Sequence, residues 1–519
     1  MAAAVNGLLG GLGGAYLLLG QLGIFFENIT AGRGYIALAV VVFGRRNPIG
    51  ILLAALFFGA AEAFQFRLQI LGISLPIQVF TGLPYVLTAL SLLLVARSKR
   101  DGTPAAWELR MIACPDKKIT ERFFMNTSIF ALKGHIIHTP TPKGFEIFEN
   151  SYVVCKKDTV IGIFKDLPEQ YQAIPVFDYS GKLIIPGMAD IHQHAPQYGF
   201  RGLGMALDLD SNWNTWFMQY SLPEERHFND LNYAELAYEK FTNDLLRSTT
   251  TRTCTFATIH RPATELLMQK LADKGFVAYV GKLNMDRNSI EGLQETTEES
   301  LRETRTWLEN TCEKYEYVKP MITPRYIPSC TDACMEGLQA LIHEFGVPTQ
   351  SHLSEGLDEI EWVKQLKPEI SFYGQAYDMY DMLGSVVQSV QAHCVFPTPE
   401  EFELMSRRKK LWVAHCPQSN MNANGVAAPI RRYLDAGIHV GLGTDIAGSN
   451  TLSMFRTISD TIVASKIYWN SMERKGDPFA EKTYLTVSEA FYLATKGGCS
   501  FWGKDGSFEE GSLFDAVVI

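Results

Sequence analysis

Four histidines and two carboxylates stand in this 519-residue chain in settings that suit metal binding and proton transfer: His192, His194, His352 and His393, with Glu355 and Asp445. Alternate side chains of an extended segment point to one face, so both histidines of Asp190-Ile191-His192-Gln193-His194 can aim at a single point. Imidazole and carboxylate suit Zn2+, which in a catalytic site keeps a position for water and lowers its pKa to about 7. Glu355 follows His352 by three residues in Gln350-Ser351-His352-Leu353-Ser354-Glu355. A carboxylate there can take the proton of that water as general base and return it to a departing amine as general acid, a role worth about 10²- to 10⁴-fold in rate. Taken singly, each residue has a plainer explanation, since a lone histidine is usually a surface or satisfied core residue and a lone glutamate a solvated one. Their joint occurrence after apolar runs turns the reading toward chemistry.

Those runs occupy residues 183–191, 251–257, 276–283, 318–323, 347–353, 387–394, 411–414 and 439–444, eight in all. Between them lie charged segments with helical spacing, such as 231–247, 297–314, 332–345 and 398–408. Eight β-then-α units predict an α/β fold, a (β/α)8 TIM barrel over 183–504. Reactive residues of that architecture sit at the C-terminal ends of strands, and the first, fifth, sixth and eighth runs lead into His192-Gln193-His194, His352, His393 and Asp445. Strand-like runs SIFALKGHII and SYVVCKKDTVIGIF predict a small β domain over 125–182. Residues 505–519 read as the start of a return to it, so a small, incomplete β-sandwich with exposed strand edges is expected.

Together with PGMADIHQH, QSHLSE, AHC, AHCPQSN and GLGTD, these residues resemble the amidohydrolase superfamily, and TTEES, VKPMITPR, SHLSE and FATIH narrow the likeness to its guanine deaminases, from about residue 129 to 519. The resemblance implies one Zn2+ per chain on His192, His194, His352 and Asp445, with His393 as a second catalytic group beside the water. It implies that Gln197 and Arg325 grip the purine edge, with Tyr326 adjoining, and that guanine is hydrolysed to xanthine and ammonia by a homodimer. An amide and a guanidinium would supply the directional donors that apolar walls lack. The plainer readings are a loop amide for Gln197 and a structural salt bridge for Arg325. His260 in FATIH and His415 in AHCPQSN are as readily structural as functional.

Apolar residues make up 47% of the chain, enough for one large domain with something attached. A net charge of −9 without any long basic run excludes a nucleic-acid face. Nine cysteines without a repeated C-x-x-C spacing read as reduced thiols of a cytosolic compartment. The composition breaks near residue 100: through Ala96 the only charges are Glu27, Arg33, Arg45, Arg46, Glu62 and Arg67. Runs 2–26 and 68–96 carry none and exceed the roughly 20 residues of a membrane span, so transmembrane helices are predicted within 1–97, followed by a linker over 98–124. Arg97, Lys99 and Arg100 then put the catalytic domain on the cytoplasmic side of the membrane. Residues 27–94 resemble the C-terminal part of bacterial ABC-transporter permeases of the nucleoside and simple-sugar type, read as a tether or fused remnant. One rival function is a membrane nucleobase transport-related protein whose C-terminal part only binds, which Glu355 argues against. Another is a deaminase of a different nucleobase or a triazine, because the pocket sets the substrate.

Overall fold

The computed structural model describes residues 129–203, 216–476, 483–503 and 506–519, together with Ala55 and Leu56. Apart from those two residues, the predicted transmembrane segment 1–97 and the linker 98–124 lie outside the described residues. Among the described residues no helix is long and apolar enough to cross a membrane. The chain divides into two units, Met1–Arg110 and Met111–Ile519, and everything from residue 129 onward belongs to the second.

Residues 129–186 are rich in β-branched and aromatic residues and form β1 (Ile129–His138), β2 (Glu146–Lys156), β3 (Thr159–Phe164) and β4 (Val176–Pro186). β2 pairs antiparallel with β1 and β3, while β4 runs parallel to β1. Phe130, Leu132 and Ile136 pack as alternate residues of β1 against Val153, Cys155, Val160 and Ile184.

Eight strands follow: β5 (Met188–His194), β6 (Thr250–Phe256), β7 (Val277–Gly281), β8 (Val318–Pro320), β9 (Thr349–Leu353), β10 (Ser389–His393), β11 (Leu411–His415) and β12 (His439–Leu442). They form one parallel sheet in the order β9-β10-β11-β12-β5-β6-β7-β8, and a parallel bridge between Ile322 and Thr349 closes the ring. Each predicted apolar run thus supplies one strand of a barrel. Helices Leu231–Leu246, Thr297–Thr311, Asp332–Phe345 and Pro399–Arg407 fill the predicted helical segments. Their starts are fixed by side chains that accept otherwise orphaned N–H groups, from Asp230, Thr296, Thr331 and Thr398 respectively. Ala189 and Ile191, Val390 and Ala392, Trp412 and Ala414 pack together with Phe501. A register shift between Asp190 and Gln193 and the left-handed φ of His393 interrupt the alternation, so that His192, His194 and His393 turn to the barrel mouth.

The sequence reading takes 183–191 as one strand, and the structure divides it. Residues 183–186 finish β4 in the small sheet, and the barrel begins at Met188. The break falls at Gly187, where a Cβ would overlap Thr251 Oγ1 and lie 2.5 Å from the Asp515 carboxylate, so only glycine lets the chain pass. Thr251 Oγ1 donates to Asp515 Oδ2 at 2.5 Å, joining the barrel to the C-terminal segment. That segment ends in β13 (Ala516–Val518), antiparallel to β4. Among the described residues the small domain is therefore one five-stranded sheet, ordered β13-β4-β1-β2-β3, where the sequence suggested part of a two-layered sandwich.

Candidate active site

The strand ends bring the predicted ligands together. Ligand nitrogens of His192, His194 and His352 lie within 4.8 Å of one another, as do ligand atoms of His192, His393, Cys416 and Asp445. Asp445 Oδ1 is 3.2 Å from His192 Nε2 and 3.5 Å from His194 Nε2, and Oδ2 is 4.0 Å from His393 Nε2. His194 Nε2 faces His352 Nε2 at 3.2 Å. Three rim residues, His393, Cys394 and Asp445, have φ of 72°, 46° and 50°, a left-handed conformation that non-glycine residues rarely adopt and that clusters at functional sites. At Gly443 a Cβ would stand 2.8 Å from His192 Cβ, so the glycine lets β12 approach β5 beside the cradle.

Burial lowers the pKa of all three cradle histidines, with the charge of His192 adding to the effect at His194 and His352. Burial also opposes the charge of Asp445, but the imidazoles of His192, His393 and His194 outweigh it and hold the carboxyl well below its ordinary value. Neutral imidazole and ionised carboxylate are the forms that bind a cation. His352 Nδ1 donates to the Arg325 carbonyl at 2.6 Å, which leaves the Nε2 lone pair turned toward His194. Neither ring nitrogen of His192, nor Nδ1 of His194, has a hydrogen-bond partner. Buried ring nitrogens that converge beside a carboxylate, several of them without a hydrogen-bond partner, are costly without a cation to satisfy them, so the residues present fit a divalent metal. Cys416 was not foreseen in this cluster; burial pushes its pKa well up, and it stands as a neutral thiol.

Glu355 is buried, and its Oε2 lies 3.5 Å from His393 Nε2. Burial and the nearby Asp445 charge raise its pKa well above the usual carboxylate value, while Arg325 pulls the other way. Two supports of this pair escape the sequence reading. His393 Nδ1 donates to Asn420 Oδ1 at 2.8 Å, which fixes the ring with Nε2 toward Glu355. Glu359 Oε2 accepts the Glu355 N–H at 3.0 Å, and its other oxygen accepts the Tyr373 hydroxyl at 2.8 Å. Asp190 is a third addition: its carboxylate takes the N–H of Thr444 at 3.0 Å and the hydroxyl at 2.5 Å, tying β5 to the segment that presents Asp445.

Gln197 and Arg325 also meet, through a residue no motif marks. Glu225, fully buried, accepts Arg325 Nη1 at 2.6 Å on Oε2 and Nη2 at 2.9 Å on Oε1. Its Oε1 also accepts Gln197 Nε2 at 2.8 Å, while the second amide N–H goes to Ser221 Oγ at 2.9 Å. Gln197 Oε1 accepts the Ala447 N–H at 3.3 Å. This corrects the sequence reading of Gln197 as a donor, because both of its N–H groups are spent inside the protein. The structural salt bridge considered for Arg325 is present, and its guanidinium also lies 4.6 Å from the Phe217 ring centroid. Tyr326 is buried, with its ring 6.1 Å from Phe217 and 6.0 Å from Trp362. His260 precedes helix Arg261–Asp273, its pKa lowered to about 4 by burial and the Lys282 charge. His415 is lowered to about 3 by burial and His393, and neither histidine joins the cradle. A second buried group, Asp286 with Cys330 and Cys334, is a structural clasp, since its carboxylate already accepts Thr331 N–H at 2.7 Å and the Thr297 hydroxyl at 2.6 Å.

A barrel whose strand ends carry a histidine and aspartate cradle beside a buried carboxyl group defines a metal-dependent hydrolase of the amidohydrolase type. Residues 183–519 match the Amidohydrolase family. The chain is 37% identical over 415 residues to guanine deaminase of Dictyostelium discoideum, covering 76% of this chain and 89% of that protein. It is 36% identical over 345 residues to guanine deaminase of Homo sapiens, covering 65% and 72%. It resembles the crystal structure of guanine deaminase from C. acetobutylicum with guanine bound in the active site, with a TM-score of 0.71 and 41% identity over 75% of this chain and 90% of that one. The chain belongs to the guanine deaminases of the amidohydrolase family.

Proposed function

We infer that this protein hydrolyses guanine to xanthine and ammonia with one Zn2+ per chain, held by His192, His194, His352 and Asp445. The observation that carries this reading is the meeting, at one barrel mouth, of the unsatisfied lone-pair cradle, the buried Glu355 and the array of Gln197, Glu225 and Arg325. When bound, the cation supplies a water acidic enough to lose its proton near neutral pH. Glu355 takes that proton as the water oxygen adds to C2 of guanine. It delivers that proton to ring nitrogen N3, whose double bond to C2 opens, then carries the remaining hydroxyl proton to the exocyclic nitrogen; the C2–N bond breaks, ammonia leaves and the C2 oxygen remains as the new carbonyl of xanthine beside N3–H. A group with a pKa raised by burial and drawn down by neighbouring positive charge suits both halves of this exchange. His393 Nε2 lies 3.5 Å from Glu355 Oε2, where it can help hold the charge that develops on the C2 oxygen. Tyr326, Phe217 and Trp362 supply aromatic walls for a planar base.

The test is purified full-length protein with zinc, assayed by ultraviolet absorbance against guanine, cytosine and adenine. Turnover of guanine alone is expected; turnover of cytosine or adenine in its place would overturn the substrate assignment. Membrane attachment through residues 1–97 and a cytoplasmic barrel are supported by the charge-free runs and the basic flank of the sequence.

A further inference from the structure

We propose that Glu225 is a specificity-determining positioning residue, which makes the purine pocket accept a neutral base and reject purine anions, the ionised product among them. This rests on the reading of Gln197 and Arg325 as purine-binding residues. Two independent features of the geometry point the same way.

The first is charge. The Arg325 and Glu225 side chains are 4% and 0% exposed, and each Nη group donates to one of the two carboxylate oxygens. A bare guanidinium in so dry a site would draw any anion strongly, because Coulomb forces grow as the effective dielectric falls. Paired in bidentate fashion, it presents no net charge to a ligand. The second is polarity. Gln197 Nε2 donates one proton to Glu225 Oε1 and the other to Ser221 Oγ, and Oε1 already accepts from Ala447 N–H. The amide is therefore fixed in one of its two flips, and what it has left for a ligand is the second lone pair of Oε1. That lone pair attracts a ring N–H and repels a deprotonated ring nitrogen. Guanine is neutral near physiological pH and carries such N–H groups. Xanthine, in which the new C2 carbonyl withdraws electrons from the N1–H and N3–H on either side of it, is the stronger acid, and its anion is the species a bare Arg325 would retain. Glu225 thus favours entry of the substrate and exit of the product.

The experiment compares full-length wild type, E225Q and E225D, each checked for zinc content and a cooperative melting transition. The KM for guanine and the inhibition constants of urate and xanthine are measured across the pH range in which xanthine ionises. In E225Q the KM is expected to rise about 10- to 100-fold, the range for one lost charge-assisted hydrogen bond. Inhibition by urate, and by xanthine at the alkaline end, is expected to tighten at least about tenfold. E225D keeps the charge but shortens the reach, so its KM rises while anion inhibition stays as weak as in wild type. A purely structural role would weaken substrate and anions together. Anion inhibition that is unchanged or weakened in E225Q overturns the proposal. Should E225Q lose its melting transition, E225D decides: tight anion inhibition there overturns the proposal as well. If wild type does not turn over guanine, the proposed function fails by itself. Calorimetric binding of guanine and urate to the same variants then still decides the role of Glu225.

Discussion

Replacing Glu355 by glutamine removes a proton carrier and little else. The amide keeps the volume of the buried side chain and the contact with His393, whose Nε2 lies 3.5 Å from the carboxylate. Glutamine can neither take a proton from water nor pass one to a leaving amine. General acid-base catalysis is worth about 10²- to 10⁴-fold, or roughly 3 to 5 kcal/mol of barrier. His393 is close enough to carry part of the transfer, so kcat is expected to fall by at least about 10²-fold. Zinc content should stay at the wild-type level, because Glu355 lies outside the proposed ligand set. The assay is kcat from ultraviolet absorbance and elemental analysis on the same sample, with a pH profile that should lose the limb belonging to Glu355. Near-normal turnover with full zinc would refute the role of Glu355 as acid and base; zinc lost in step with activity would move it into the metal cradle.

Other perturbations separate the cradle, the buried carboxyls and the N-terminal segment. His192→Ala opens the ligand set and should lose metal, and full zinc occupancy by elemental analysis would sink that assignment. Glu401 is raised to about 7, chiefly by burial, against hydrogen bonds from the Gly374 N–H and the Ser354 hydroxyl. Its folded pKa exceeds the unfolded value, so its stability contribution is complete below about pH 4.3 and is lost as the pH rises through about 7. Glutamine does not titrate, so the stability of E401Q relative to wild type should grow by about 3 kcal/mol between pH 4 and 8 in denaturant titrations; a difference that does not change with pH would remove Glu401 as its source. A chain starting at Glu121 should be soluble and keep kcat/KM for guanine, while the full chain pellets with membranes and resists carbonate extraction. A soluble full chain would defeat the tether reading, and a folded, zinc-loaded but inactive short chain would give the first hundred residues a part in catalysis.

The barrel and its cradle were legible because both depend on local signals. Strands of a parallel barrel are covered on both sides and read as short continuous apolar runs, and His192 and His194 share a face because the side-chain period of a strand is two. His352, His393 and Asp445 could be placed with them because strand ends in this architecture meet at one rim. Other features have no local signature. Gly187 divides what reads as one strand, since the obstacle there comes from Thr251 and Asp515, far away in sequence. Asn420 and Glu359 look like ordinary helical polar residues until packing sets them against His393 and Glu355. Arg325 and Gln197 could be named as polar groups, but not which of their protons remain for a ligand. That was decided by Glu225, 100 residues from Arg325, once ring closure buried all three side chains together, with each other, Ser221 and the Ala447 N–H to satisfy their charge and hydrogen bonds. The sequence by itself determined which chemistry is present and at which strand ends; the tertiary structure decided how those groups are paired, because in a buried site a polar side chain acts only with what its neighbours leave unsatisfied.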